Sequence, residues 1–369
     1  MSFGSEPAHA HDAIERVGVL LVNLGTPAAP TAAAVRTYLA EFLSDPRVVE
    51  IPRAVWLPIL HGVILRLRPA RSARKYEAIW TKDGSPLAVH SARLRSLLMG
   101  LLGQRMKAAG LPADFAPVEI AMRYGEPSIA AGVDRLKAAG ATKLLVLPLY
   151  PQYSASTTAT VLDAVLARLA GMRRVPALRF VDGFHDDEGY IKALAQNVND
   201  YWMKHGRPER LVLSFHGLPR RSLDLGDPYH CQCHATARLL ARELGVEPDR
   251  WSIAFQSRFG RAEWLQPYTS EVLAGLGRAG TRSVDVFCPG FVADCVETLE
   301  EIGIEGRETF VSAGGGDYRV LPCLNEHPRW IAALADLAWR NLSGWLDPPP
   351  DDRERELTLA RARALGART

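Results

Sequence analysis

Eight short apolar runs divide the chain, each released into a polar turn, and helical patterns separate them. The runs lie at 17–23, 118–124, 143–149 and 177–181 in the first half, and at 210–215, 251–256, 283–287 and 318–321 in the second. The first, VGVLLVN, is apolar almost without interruption, as a strand covered on both faces must be. The helical patterns fall at 31–43, 127–139 and 158–169, then at 234–244, 267–279 and 293–302. Strand–helix–strand alternation predicts a parallel sheet wrapped by helices. Four strands in each half predict an α/β protein of two similar doubly wound domains.

The turns repeat as well as the strands. LVNLGTP at 21–27 is answered by LSFHGLP at 213–219, AMRYGEP at 121–127 by AFQSRFG at 254–260, and LPLYPQYS at 147–154 by FCPGFVAD at 287–294. The order is the same in both halves, which points to a structural duplication. With 369 residues the chain has room for two cores of ordinary size. The expected domains are 17–190 and 191–345, followed by a charged tail, 346–369, whose prolines stop the preceding helix. A cleft between two such domains is the default binding site.

Composition narrows the classes. Hydrophobic residues make up 47% and charged residues 23%, the balance of a folded globular chain. A net charge of +3 is too small to favour nucleic acid as a partner. The N-terminus has no basic stretch leading into an apolar core, so no secretory segment is expected. No apolar run reaches the roughly 18 residues that span a bilayer. Cys231, Cys233, Cys288, Cys295 and Cys323 make an odd count, which suits free cytosolic thiols over a disulfide framework.

The segment 51–67, IPRAVWLPILHGVILRL, is strongly apolar yet broken by Pro52, Arg53, Pro58 and His61. Two readings stand: an apolar lip on a cleft, touching a membrane surface, or a plain core helix. The segment runs into RLRPARSARK at 66–75. Its arginines read either as a solvated basic face or as a rim for carboxylates or phosphates, which guanidinium forks pair in bidentate fashion. An amphiphilic anion would suit a greasy lip backed by arginines.

Two stretches carry chemistry. In LVLSFHGLP, 211–219, His216 is expected at the carboxyl end of a buried strand, the edge at which open α/β sheets hold their ligands. Alone, it reads equally as a structural histidine. In FVADCVETLEEIGIE, 291–305, Asp294 is positioned to cap a helix. Glu297, Glu301 and Glu305 follow four apart, on one face of an α-helix. Like charges at that spacing repel by roughly a few tenths of a kcal/mol per pair. The row is therefore either an exposed acidic face or a surface for a hard cation, with an imidazole nearby to favour iron or zinc. HCQCH at 230–234 reads either as a metal site or as ordinary helix-start residues. No G-x-G-x-x-G follows a strand, and neither a P-loop nor a G-x-S-x-G elbow is present.

Taken together, eight motifs make a chain that resembles the ferrochelatases. They are VNLGTP at 22–27, YEAIWTKDGSPL at 76–87, RYGEP at 123–127, LYPQYSASTT at 149–158, SFHGLP at 214–219, GDPYHCQC at 226–233, FQSRFGRAEWLQP at 255–267 and GFVADCVETLEEI at 290–302. They run in unbroken order across 17–345. The resemblance implies a chelatase fold, two Rossmann-like domains with a porphyrin cleft between them. The activity it implies is insertion of Fe2+ into protoporphyrin IX, the last step of haem biosynthesis. It implies catalytic roles for His216 and Glu297, and metal contacts along His216, Glu297, Glu301 and Glu305. Tyr150, Trp264 and Phe291 fall on macrocycle-lining positions. Arg68, Arg71, Tyr76, Arg123, Tyr124 and Ser257 fall at or beside positions for propionate binding or the cleft floor.

By the same resemblance, Fe2+ is a substrate and no tightly bound cofactor is expected. Some ferrochelatases hold a 2Fe–2S cluster through cysteines in a C-terminal extension; no cysteine follows Cys323 here, so that cluster is not expected. Some also carry a histidine where this chain has Cys295, so no metal role passes to that position. The expected location is the cytoplasm, with 51–67 as a peripheral contact to the inner membrane. Two alternatives remain: a chelatase loading another metal, such as cobalt, into a more carboxylated tetrapyrrole, and a two-domain carrier of haem or metal without chemistry.

Overall fold

Each half of the chain forms a four-stranded parallel sheet, and both sheets have the same strand order. In the computed structural model, which describes residues 10–260 and 262–367, the first sheet is built from β1 (Arg16–Gly25), β2 (Val118–Tyr124), β3 (Ala141–Pro148) and β4 (Ala177–Phe180), in the order β2-β1-β3-β4. The second is built from β5 (Arg210–His216), β6 (Trp251–Gln256), β7 (Ser283–Phe287) and β8 (Asp317–Val320), in the order β6-β5-β7-β8. The duplication read from the turns is thus a duplication of topology. It extends to detail. Met122 N–H bonds the Pro127 carbonyl at 2.7 Å after β2, and Phe255 N–H bonds the Pro267 carbonyl at 2.8 Å after β6.

Helices α1 (Ala32–Leu43), α2 (Arg53–Ile59), α3 (Leu65–Ile79), α4 (Pro86–Ala108), α5 (Ile129–Ala138) and α6 (Thr160–Leu169) belong to the first half of the sequence. Helices α7 (Glu188–His205), α8 (Arg220–Asp224), α9 (Tyr229–Leu244), α10 (Thr269–Arg278), α11 (Arg307–Ser312), α12 (Pro328–Leu342) and α13 (Asp352–Ala364) follow. Three stretches take wider π-helical turns: π1 (Leu60–Ile64), π2 (Ala155–Ala159) and π3 (Glu297–Gly306). Two of them, π2 and π3, follow the corresponding strands β3 and β7 in the two halves.

One core runs through both halves. It takes Leu98 and Leu102 from α4, Val198 and Trp202 from α7, Leu240 from α9 and Leu334 from α12, with inward residues of both sheets. The helices that close each half are exchanged. After β4, α7 packs on α9 of the second half; after β8, α12 returns to α4 and β3 of the first. The expected boundary at 190/191 falls in the first turn of α7. The outer sheet faces have separate cores, around Leu20, Val161 and Val165 in one half and Val286, Ile302 and Phe310 in the other.

The broken apolar segment 51–67 is helical throughout 53–67. Pro58 removes one amide donor inside α2, and the widened π1 turn follows within two residues. Leu60 and Leu65 point into a small core with Val35, Tyr38 and Leu39 of α1. Ile51, Val55, Ile59, Val63 and Leu67 point outward at four-residue intervals, Leu67 being 73% exposed. The segment therefore carries an outward apolar stripe over a small core of its own and is not a plain core helix. Among the described residues, no helix is long and apolar enough to cross a membrane.

Candidate active site

The strand β5 delivers His216 to the carboxyl edge of the second sheet, because Leu211 to Phe215 are buried and the imidazole is the first side chain clear of the core. Its Nδ1 lies 2.7 Å from the Gly217 carbonyl. A carbonyl only accepts, so Nδ1 carries the proton and the neutral ring keeps its lone pair on Nε2. The Tyr229 hydroxyl donates to the His216 carbonyl at 2.9 Å and steadies the strand end. Residue 217 has to be glycine: a Cβ there would stand 2.7 Å from the Gln256 carbonyl oxygen and 3.2 Å from the Trp264 ring. Trp264 consequently packs against the backbone that leaves His216, and pairs across with Pro219.

The acidic row sits on π3, whose start is tied to the same strand ends. Gln256 is the register partner of His216. Its Nε2 donates to the Glu297 carbonyl at 2.9 Å while its Oε1 accepts from the Ser214 hydroxyl at 2.7 Å. Asp294, expected as a helix cap, instead accepts from the Thr298 hydroxyl at 3.0 Å and from Asn325 Nδ2 at 2.7 Å. It fastens π3 to the loop after β8 and does not meet a helical amide.

Glu301 accepts from the Ser257 amide at 2.7 Å and from the Ser257 hydroxyl at 2.6 Å. Burial pushes its carboxyl above the ordinary glutamate value, and the neighbouring Glu297 charge acts the same way. The Ser257 bonds and His216 oppose both. His216, Glu297 and Glu301 therefore share one electrostatic neighbourhood.

The first half supplies the facing wall. Burial raises the phenol of Tyr76, and Glu297 and Cys295 raise it further, against the pull of Arg68. Tyr38 is raised by burial first, then by Tyr76, Glu297, Tyr150 and Tyr124. Arg68 is half-buried, which lowers its guanidinium value, and it lies over the Phe259 ring with 4.9 Å from Cζ to the ring centroid. Thus Tyr38, Tyr76 and Arg68 lie within electrostatic reach of Glu297 across the junction of the halves. Phe291 is half-buried with Leu87, Ala293 and Cys295 on the same junction.

The other expected residues divide. Arg71 is exposed on α3 near Arg68. Arg123 is already paired, with Asp45 and with the Thr160 hydroxyl at 2.7 Å, and stacks on Tyr124. Tyr124 is wholly buried, its hydroxyl on Asp45 at 3.0 Å, so it supports the floor from behind. Burial would raise Asp45, but bonds from Thr160, the Arg47 amide and Tyr124, with the Arg123 charge, hold it below its usual value. The Tyr150 hydroxyl and the Trp264 indole N–H are buried without a hydrogen-bond partner among the described residues.

Glu305 leaves the row. The i→i+5 bonding of π3 aligns it with Glu300, and both pair with Lys75. Residues four apart stay on one side of a π-helix as they do on an α-helix, so what sets Glu305 apart is its pairing with Lys75. Among the described residues, no three or more His, Cys, Asp or Glu side chains are arranged to hold a metal ion. The HCQCH stretch forms the start of α9: Cys231 is exposed, Cys233 is wholly buried, and His230 and His234 stack with each other and with Phe255. All five thiols are free. Sequence reasoning missed Tyr38, Asp45, Lys75, Gln256 and Glu300, whose roles come from partners elsewhere in the chain.

Comparison with known proteins converges on one family. The profile of the family described as Ferrochelatase matches residues 16–342. The chain is 59% identical to a ferrochelatase of Aromatoleum aromaticum over 363 residues, 98% of each chain. It is 58% identical to a ferrochelatase of Methylibium petroleiphilum over 368 residues, 100% of this chain and 99% of the other. Among solved structures, SirB from Bacillus subtilis with Fe3+ superposes with a TM-score of 0.51 over 89% of this chain and 96% of its own. At 16% identity that likeness speaks for the fold alone. The two-sheet architecture, the strand-end histidine with its carboxylates and the full-length identities lead to one conclusion: the chain belongs to the ferrochelatase family.

Proposed function

We propose that this chain inserts Fe2+ into protoporphyrin IX, forming protohaem and releasing two protons. The observation that carries the reading is His216, its Nδ1 fixed by a carbonyl so that Nε2 is the free base, beside Glu297 and Glu301 and opposite a wall of Tyr38, Tyr76 and Arg68. A protoporphyrin is a flat apolar ring with two carboxylate tails. Tyr76, Tyr150, Trp264 and Phe291 offer it faces, and Arg68 and Arg71 offer its propionates guanidinium forks. Arg123 is neutralised by Asp45 and serves as floor.

Two pyrrole N–H protons must leave as the metal enters the ring plane. Walls that pucker the ring would tilt the nitrogen lone pairs toward the metal, using binding energy to strain the substrate. His216 Nε2 accepts a proton, and the charges of Glu297 and Glu301 favour the imidazolium that results. Glu301, whose carboxyl is raised by burial, is suited to take that proton onward. Fe2+ is handled as substrate, with no resident cofactor in the scheme. The purified protein is therefore expected to lack the visible absorption of an iron–sulfur cluster. The outward stripe of Ile51, Val55, Ile59, Val63 and Leu67, next to Arg66 and Arg71, suits peripheral contact with an anionic lipid surface and a cytoplasmic enzyme.

The test is anaerobic incubation with Fe2+ and protoporphyrin IX, followed by the loss of porphyrin fluorescence. Turnover is expected; its absence would refute the reading. His216→Ala should lower turnover by about 10²-fold to 10⁴-fold with porphyrin binding retained, the range for loss of a positioned base. Unchanged turnover would remove His216 from its role.

A further inference from the structure

The lip and π3 come from opposite halves of the chain, and one side chain joins them. Lys75, on α3, places its Nζ 2.8 Å from Glu300 Oε2 and 2.7 Å from Glu305 Oε1. On an α-helix residues five apart point in different directions. The i→i+5 bonding of π3 lines them up, so one ammonium meets both carboxylates. The side chain of Glu300 is only 10% exposed and that of Lys75 29%. A pair so shielded tolerates the loss of one member poorly, because the survivor is left charged and under-solvated.

The bridge stands next to the contacts that make the site. Tyr76 follows Lys75 directly, and Arg68 lies two turns earlier on the same helix; both interact with Glu297, three residues before Glu300. Glu301, which follows Glu300, holds Ser257 and feels His216. We propose that Lys75 is a positioning residue, an interdomain latch that pins the lip helix to π3 and so holds Arg68 and Tyr76 in register with Glu297 and Glu301. Lys75 touches no reacting atom in this scheme. Its effect is to set the width of the cleft between the arginine rim and the acidic helix.

The proposal rests on the ferrochelatase reading for its kinetic arm only. The full chain is compared with Lys75→Met and with Lys75→Arg. Hydrogen exchange is followed in 65–79 and 297–306, protoporphyrin affinity by fluorescence, and kcat and KM by turnover. Loss of a shielded ion pair predicts that Lys75→Met speeds exchange in both segments by about tenfold and raises porphyrin Kd and KM by about tenfold. It should leave kcat at saturation within about twofold, since no transition-state contact is removed. Lys75→Arg should restore the wild-type values. Wild-type exchange in Lys75→Met overturns the proposal, and so does a loss confined to kcat or one that Lys75→Arg fails to rescue. If the wild-type protein does not metallate protoporphyrin, the functional reading falls, while exchange and porphyrin affinity still decide the latch.

Discussion

Replacing Gln256 by leucine would separate the stability of the second half from the placement of Glu297. Gln256 is 4% exposed and holds two elements at once, accepting from Ser214 Oγ at 2.7 Å and donating to the Glu297 carbonyl at 2.9 Å. Gln256→Leu keeps the volume and removes both bonds, together with the weak one that the Cys288 thiol donates at 3.6 Å. Ser214 retains the Thr269 hydroxyl at 2.8 Å, so its share of the loss is small. The Glu297 carbonyl loses its donor from β6 but keeps its place in the π3 helix, so the cost is that of one net hydrogen bond, about 0.5–1.5 kcal/mol. At roughly 2–4 °C per kcal/mol, the melting temperature should fall by roughly 1–6 °C, leaving the protein folded at 25 °C. The effect on rate should be larger in proportion. A shift of about 1 Å at a catalytic group can cost about 10²-fold, so kcat is expected to fall by about 10-fold to 10²-fold while the porphyrin KM stays within about threefold. Stopped-flow loss of porphyrin fluorescence under anaerobic conditions, beside a thermal melt, reads both quantities. A kcat within twofold of wild type together with the full drop in melting temperature would refute the reasoning. It would mean that the Asp294–Thr298 contact alone sets the start of π3.

Two further outcomes are expected. The raised carboxyl of Glu301 means that the folded state holds its proton more tightly than the unfolded chain does. The stability linked to this group is present below the ordinary glutamate value and is lost as pH climbs through the raised one. Glu301→Gln should therefore melt higher than wild type at neutral pH, converge with it in acid, and turn over more slowly; melts from pH 4 to 8 that run parallel would contradict this. On the lip, Val63→Asp with Leu67→Asp should abolish co-sedimentation with vesicles of anionic phospholipid while leaving turnover of detergent-dispersed porphyrin intact. Equal vesicle binding by the two proteins would remove the lip from any membrane contact.

The sheets were legible because buried parallel strands advertise themselves. Five of the eight apolar runs reach the observed strand bounds or miss them by a single residue at one end: 118–124, 177–181, 210–215, 251–256 and 283–287. Their polar turns marked the strand ends, which is why His216 could be placed before any side chain was seen. Hydropathy does not distinguish an α-helical from a π-helical turn, and spacing alone does not show that Glu305 pairs with Lys75. Spacing of four implied a shared face, whereas the wider turn joined Glu300 to Glu305 and drew in Lys75 from the other half. Gln256 and Asp45 escaped notice for a related reason: their roles depend on partners 41 and 115 residues away. The long helix α4, and the exchange of α7 with α12, depend on which apolar faces meet, and periodicity is silent about that.

The exchange of α7 and α12 also limits how the molecule moves. Swinging the halves apart on a hinge would strip α7 from α9 and α12 from α4, exposing side chains such as Trp330, Tyr190, Leu334 and Leu240 that are buried to 1% or less. At about 1.5–3 kcal/mol for each large apolar side chain, exposing these four alone costs about 6–12 kcal/mol, far above thermal energy. The body of the enzyme behaves as one rigid jaw. A macrocycle must come and go by displacement of thin parts at the rim, the lip helix on one side and the π-helical turn on the other.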